Sequence, residues 1–173
     1  MKSLKEIWVI MDGNEEKEIW NKIHNDFCFN PKYNEKTFIF NIPVDVYNIE
    51  FSPLYKDEKE LNALMISIFT TCMGNDPYML VLDWQHSCFY YNPRITKKKR
   101  NPTFIKDKRY GDGYNAYFPE FYPNGDFYFF IAKNFLWGYF THPWKKRVWV
   151  FGEPLMMEIK NNALKLGFIK IEE

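Results

Sequence analysis

The sequence predicts an α+β fold, a mainly antiparallel sheet of about six strands covered by two to three helices, and three observations lead there. Segments of helical and of strand period are grouped along the chain instead of alternating regularly. Connections between the strand-like segments of the C-terminal half are short, which favours antiparallel neighbours. With 173 residues, 46% hydrophobic and 20% aromatic, there is apolar mass for one core and little for two. Residues 1–173 therefore read as a single domain, with the helices expected on one face of the sheet.

Each element has a local reason. Ile7 to Met11 is a short apolar segment, either a strand or an arm packed on the domain. Ile19, Trp20, Ile23 and Phe27 recur at helical spacing over Glu15 to Phe27, with glutamates at the positive end and Asp12-Gly13-Asn14 as the start. Phe38-Ile39-Phe40 and Val44 to Phe51 read as strand material, broken or placed at an edge by Pro43. A second helix is predicted over Asp57 to Met73, its buried stripe formed by Leu61, Leu64, Met65, Ile68 and Phe69. Gly74-Asn75-Asp76-Pro77 stops it. Tyr78 to Trp84 is a continuous apolar run, as a strand buried on both faces requires, and Ser87 to Tyr91 follows as another. Phe127 to Ala132, Trp137 to Phe140 and Val148 to Phe151 form a meander. Glu153-Pro154 opens a third helix that Gly167 caps, leaving Phe168 to Ile171 as an edge strand or docked tail.

Composition limits the function classes. Twenty-three basic and twenty-two acidic side chains give a formal net charge of +1, so no global field favours nucleic acid or acidic lipid. Eight Lys or Arg against one Asp in residues 94–109 leave the rest of the chain near −6, which reads as a basic loop insertion at about 94–115 on an acidic body. Nucleic acid is conceivable only through that loop, from Lys97 to Arg109, with Phe104, Tyr110 and Tyr114 able to stack on bases. A solvated loop is the plainer reading. The longest apolar runs span five or six residues against the roughly 20 of a membrane span, so no membrane association is expected. Lacking an apolar leader after Met1, the chain is assigned to the cytoplasm. Three cysteines, at 28, 72 and 88, fit reduced thiols there and have no metal-type spacing. No GxGxxG, Walker-type, GxSxG or CxxC pattern occurs.

Three clusters could carry chemistry. Asp83-Trp84-Gln85-His86-Ser87-Cys88 puts a carboxylate, an imidazole and a thiol within six residues. On an extended chain His86 and Cys88 share a face, yet roughly 7 Å separates such positions, so a nucleophilic pair is disfavoured against a buried Cys88 and a hydrogen-bonded His86. Thr141-His142-Pro143-Trp144 offers His142 as an acid or base, against the commoner structural histidine at a turn. Tyr122-Pro123-Asn124-Gly125-Asp126 is a tight turn that can aim Asp126 into a pocket. The candidate catalytic set is thus His86, His142, Asp83 and Asp126, on the expectation that both histidine segments end neighbouring strands. Metal and cofactor are expected to be absent, since neither HxH nor HExxH spacing occurs.

Taken in order, Leu82 to Cys88, Tyr122 to Tyr128, Gly138 to Trp144 and Val150 to Leu155, with the earlier Trp20 to Pro31, resemble the successive blocks of bacterial domain-of-unknown-function family 2716. The resemblance runs from Trp20 to about Ile159. It implies no reaction, ligand or partner. Members tend to carry a glutamate after His-Pro-Trp where this chain has Lys145, which argues against an acid acting there.

Two functions remain. One is a non-catalytic protein-binding module, of toxin-immunity type, using Trp84, Gln85, Tyr122, Trp137, Tyr139 and Trp144. Thirty-five aromatics exceed what a core of this size must hold, and aromatic anchors suit protein interfaces, so a protein partner is favoured over a small molecule. The alternative is a small hydrolase or small-ligand-binding protein with a His/Asp pocket. Whether the chain is an enzyme stays open.

Overall fold

The computed structural model describes residues 6–32, 36–95 and 103–172. Strands β1 (Trp8–Ile10), β2 (Val44–Asn48), β3 (Met79–Asp83), β4 (Phe89–Tyr91), β7 (Tyr128–Ala132), β8 (Gly138–His142), β9 (Arg147–Phe151) and β10 (Ile169–Ile171) form one sheet. A separate hairpin pairs β5 (Phe104–Lys106) with β6 (Asn115–Tyr117). The large sheet is antiparallel throughout, in the order β1-β4-β3-β7-β8-β9-β2-β10. The fold class is α+β as expected, but the strands number eight plus two rather than about six.

Three helices cover this sheet: α1 (Gly13–Phe27), α2 (Lys59–Met73) and α3 (Glu153–Leu166). Asp12 caps α1 by accepting from the N–H groups of Asn14 and Glu15. Helix α2 starts two residues later than its acidic run suggests, because Asp57 takes a left-handed conformation (φ +52°) after a 3-10 turn at Pro53–Lys56.

Helices cover both faces, not one. Strand residues alternate between two apolar clusters. Tyr47, Met79, Val81, Phe130, Tyr139 and Val150 pack with Met65 and Phe69 of α2 and Leu155 and Ile159 of α3. Leu80, Leu82, Phe129, Phe140, Trp149 and Phe151 pack with Ile19, Ile23 and Phe27 of α1. Phe27 sits 4.9 Å from Phe140, and Phe69 stacks on Phe130 at 5.4 Å. The segment at 38–40 is not a strand; Phe38 lies on the α1 face against Phe29 and Trp149. A sheet walled on both sides explains why β3, β7 and β8 are buried at every residue.

Lys97 to Arg100, the centre of the basic run, lie outside the described residues. The flanking part is structured rather than a plain loop. Asp107, 2% exposed, accepts from Ser87 Oγ at 2.7 Å and from the Arg109 guanidinium at 2.7 Å, and Arg109 also reaches Glu16 at 2.9 Å. Arg94 donates to the carbonyls of Asp76 and Gly74. Two of the eight basic groups are thereby engaged within the fold.

Candidate functional site

At the C-terminal end of β3 the backbone turns sharply. Gln85 adopts φ +68° and the His86 N–H donates to the Asp83 carbonyl at 3.2 Å. A side chain in that left-handed region is strained by about 1 kcal/mol, and the turn folds the His86 ring back over Asp83. His86 Nδ1 lies 3.1 Å from Asp83 Oδ1 and 3.2 Å from Asp126 Oδ2. Asp126 arrives from the loop before β7, where Gly125 (φ +149°) makes the bend and Asp126 Oδ1 accepts from the Phe127 N–H at 2.7 Å. Three of the four predicted catalytic residues, Asp83, His86 and Asp126, therefore meet.

Their environments differ. The Asp83 side chain is 10% exposed against 52% for His86. Burial pushes the Asp83 carboxyl up to about 7, with the Asp126 charge adding and His86 opposing. Burial also raises Asp126 above the ordinary carboxylate range. For His86, partial burial works downward but the Asp83 and Asp126 carboxylates outweigh it, so its pKa lies above the usual imidazole value. Facing two acceptors, Nδ1 carries the proton of the neutral ring, leaving Nε2 to take or give one. The three potential ligand atoms lie within 4.8 Å of one another, so one divalent ion fits this donor set in place of the shared proton.

His142 is not part of this cluster. Strand β7 separates β3 from β8, so the two histidine segments do not end adjacent strands. Both reach the same end of the sheet, where Asp83 pairs with Tyr128 and His142 with Arg147. Side chains there alternate between faces: Asp83 shares the α2–α3 face with Met79 and Val81, while His142 lies with Phe140 on the α1 face. His142 is 0% exposed, packed against Phe127 at 4.8 Å, Trp144 and Trp149. Its Nδ1 accepts from the Lys145 N–H, and Nε2 has no hydrogen-bond partner among the described residues. Burial, with Lys145 and Arg147 nearby, pushes its pKa down to about 4.

The thiol–imidazole pairing fails for the same turn. Cys88 is buried, its Sγ contacts the backbone carbonyls of Asp83 and His86, and burial pushes the thiol up, away from nucleophilic use. The predicted binding aromatics also divide. Tyr122, Trp137 and Tyr139 are core residues, at 8%, 3% and 0% exposure: Tyr139 donates to the Phe121 carbonyl and Trp137 Nε1 to that of Cys72. Trp84, Gln85 and Trp144 remain outside the core, and Trp144 is 50% exposed.

Asp83 and His86 line a cleft of about 760 Å³ between the N-terminal end of α2, the β5–β6 hairpin and the 118–124 loop. Several of its walls have no signal in the sequence. Asp57 reads as part of the acidic start of a helix, Glu120 is a single acid in a loop, and Tyr128 is one aromatic among many. Asn124 does stand in the noted turn, where its Oδ1 accepts from the Tyr128 hydroxyl. Burial and the Asp57 charge raise the Glu120 pKa. Across the cleft Trp8 is sandwiched by Tyr91 at 4.0 Å and Phe118 at 4.5 Å, forming a stiff aromatic wall.

Comparison with known proteins places this geometry in a family. Residues 10–156 match the family described as protein of unknown function (DUF2716), a span that contains every candidate residue above. A similar protein is "Uncharacterized protein YxiI" of Bacillus subtilis (strain 168), 25% identical over 163 residues that cover 90% of this chain and 93% of that one. No solved structure matches the chain.

Proposed function

We propose that this chain, which belongs to the DUF2716 family of proteins of unknown function, is a small-ligand-binding protein whose cleft carries a proton-exchanging centre of Asp83, His86 and Asp126. One observation carries the reading: this carboxylate–imidazole–carboxylate cluster opens into a cavity of about 760 Å³, within the size range of small-molecule sites. Asp83 and His86 both have pKa values displaced toward neutrality or above, so a proton moves between them and a bound ligand near neutral pH at little cost. His86 Nε2 is the exchanging atom; the carboxylates hold the ring and stabilise its charged form. Such a centre also serves a hydrolytic step, with neutral His86 as base toward water.

The reading is tested by screening a mixed small-fragment library against the isotopically labelled full chain by NMR. Hits are expected to move backbone resonances of Asp83, His86, Glu120 and Tyr128 together. A library that leaves these unmoved contradicts the proposal.

A second reading is favoured by a separate observation. Trp84 and Trp144 both pack edge-on against Phe127, at 5.6 and 5.3 Å, which makes one aromatic surface beside the exposed Gln85. This surface suits a protein partner, such as a toxin that the chain neutralises. Capture of a partner lost in Trp144→Ala but retained in Asp83→Asn would select it. Among the described residues no helix is long and apolar enough to cross a membrane.

A further inference from the structure

We infer that the ligand of the cleft is an organic cation bearing ammonium or guanidinium groups at both ends of an apolar spacer. The inference rests on the small-ligand reading above and adds the chemical class. It follows from what lines the cavity. The charged lining residues are Asp57, Asp83 and Glu120 with His86, and no Lys or Arg is among the described residues lining it. Nor does any Lys or Arg of the described residues pair with these three acids, whereas Asp26, Asp45 and Asp107 elsewhere each hold one.

The remaining polar groups are biased the same way. Asn115 is a lining residue, and its buried Oδ1 has no hydrogen-bond partner among the described residues. The Tyr128 hydroxyl proton is already given to Asn124, and the Asn62 amide donates to Asp57 at 2.6 Å. These groups favour a ligand that donates. An anion would bring its charge against three acids with His86 as the one cationic group among the described lining residues.

The acids form two poles. Glu120 and Asp57 interact electrostatically at the α2 side, while Asp83 and Asp126 share His86 at the end of β3. Tyr128 lines the same cleft as both groups of acids. Phe121, Phe118 and the Trp8 wall add apolar surface to the same cleft. Two groups of carboxylates on different elements and aromatic faces in the same cleft are complementary to two donor cations on a hydrocarbon chain, since rings attract cations as well as methylenes.

The test is calorimetric titration of the full chain near neutral pH with putrescine and spermidine, alongside butanediol and succinate as neutral and anionic counterparts of similar length. The diamines are expected to bind, with succinate inert and butanediol at least about tenfold weaker, the factor of one desolvated charge contact. Asp83→Asn and Glu120→Gln should each weaken putrescine by about tenfold, with circular dichroism confirming the fold; Glu120 is exposed enough that its change cannot unfold the chain. Equal binding of butanediol, or binding of succinate, overturns the cationic assignment while leaving the small-ligand reading intact. Undiminished diamine binding in the double variant places the amine elsewhere and overturns it. Binding of zinc or magnesium with inert amines assigns the centre to a metal and overturns it too. Failure of every amine overturns the inference, and the fragment screen then decides separately whether the cleft binds anything.

Discussion

Two histidines reach the same end of one sheet, and the faces they occupy give them opposite chemistry. His86 stands half-exposed on a turn between two carboxylates, and its proton is held more tightly than usual. His142 ends a strand, entirely buried among Phe127, Trp144 and Trp149 with two cationic neighbours, and its proton is expelled. The difference lies in what surrounds equal rings: on the α2–α3 face the packing stops at a cleft, while on the α1 face aromatic rings close over the sheet to its last residue. A histidine in a sequence is therefore a site only where the fold leaves it a partner and an opening.

Breaking the wall on the closed side should have the largest effect. Phe127, fully buried, contacts His142 and Trp144 as well as Trp84 and Phe29. Phe127→Ala is expected to cost about 3–5 kcal/mol in urea unfolding, and water reaching His142 should move its pKa back toward the ordinary value.

Next comes the pH dependence of His142 itself. Its folded pKa of about 4 lies below its unfolded value of 6.5, so between these limits the unfolded chain binds the extra proton. Stability therefore falls as pH drops from about 6.5 to about 4, by on the order of 3 kcal/mol. His142→Leu should remove that slope.

Asp83 acts with the opposite sign. Its folded pKa of about 7 exceeds the unfolded 3.8, so the folded chain holds the extra proton and stability declines as pH rises through that window. His86, raised above 6.5, adds stability that is complete below 6.5 and lost as pH climbs through its folded value. Asp83→Asn should flatten the Asp83 part, as read from melts across pH. The smallest effect belongs to His86→Ala: less than about 1 kcal/mol in global stability, because the ring is half-exposed. The same change should drive the Asp83 pKa further up, as followed by carboxyl carbon shifts.

How much of this was legible in the sequence follows from the range of each interaction. Helices α1 and α3 were legible because caps and a 3.6-residue apolar stripe are local, as at Asp12 and at Glu153-Pro154. The apolar run over β3 already signalled burial on both faces, yet grouping of elements suggested helices on one; Ile19, Ile23 and Phe27 declare a face but not which side of the sheet receives it. Strands β5 and β6 are three residues each, too short for a period to show. Asp83 and His86 were within one motif, but their contact depends on the positive φ of Gln85, which nothing in a Trp-Gln-His triplet requires. Asp57 and Glu120 join them only through the tertiary fold. The burial of Tyr122, Trp137 and Tyr139 shows why counting aromatics misled: a sheet walled on both faces consumes far more of them than a one-sided layer.

The central claim is that the proton-exchanging centre is His86 with its two carboxylates and that His142 is packing. An NMR titration following both imidazole rings in one sample tests it most directly. The account predicts that His86 titrates above 6.5 and His142 near 4, the latter with its neutral-state proton on Nε2. A His142 that titrates at or above His86 would contradict it.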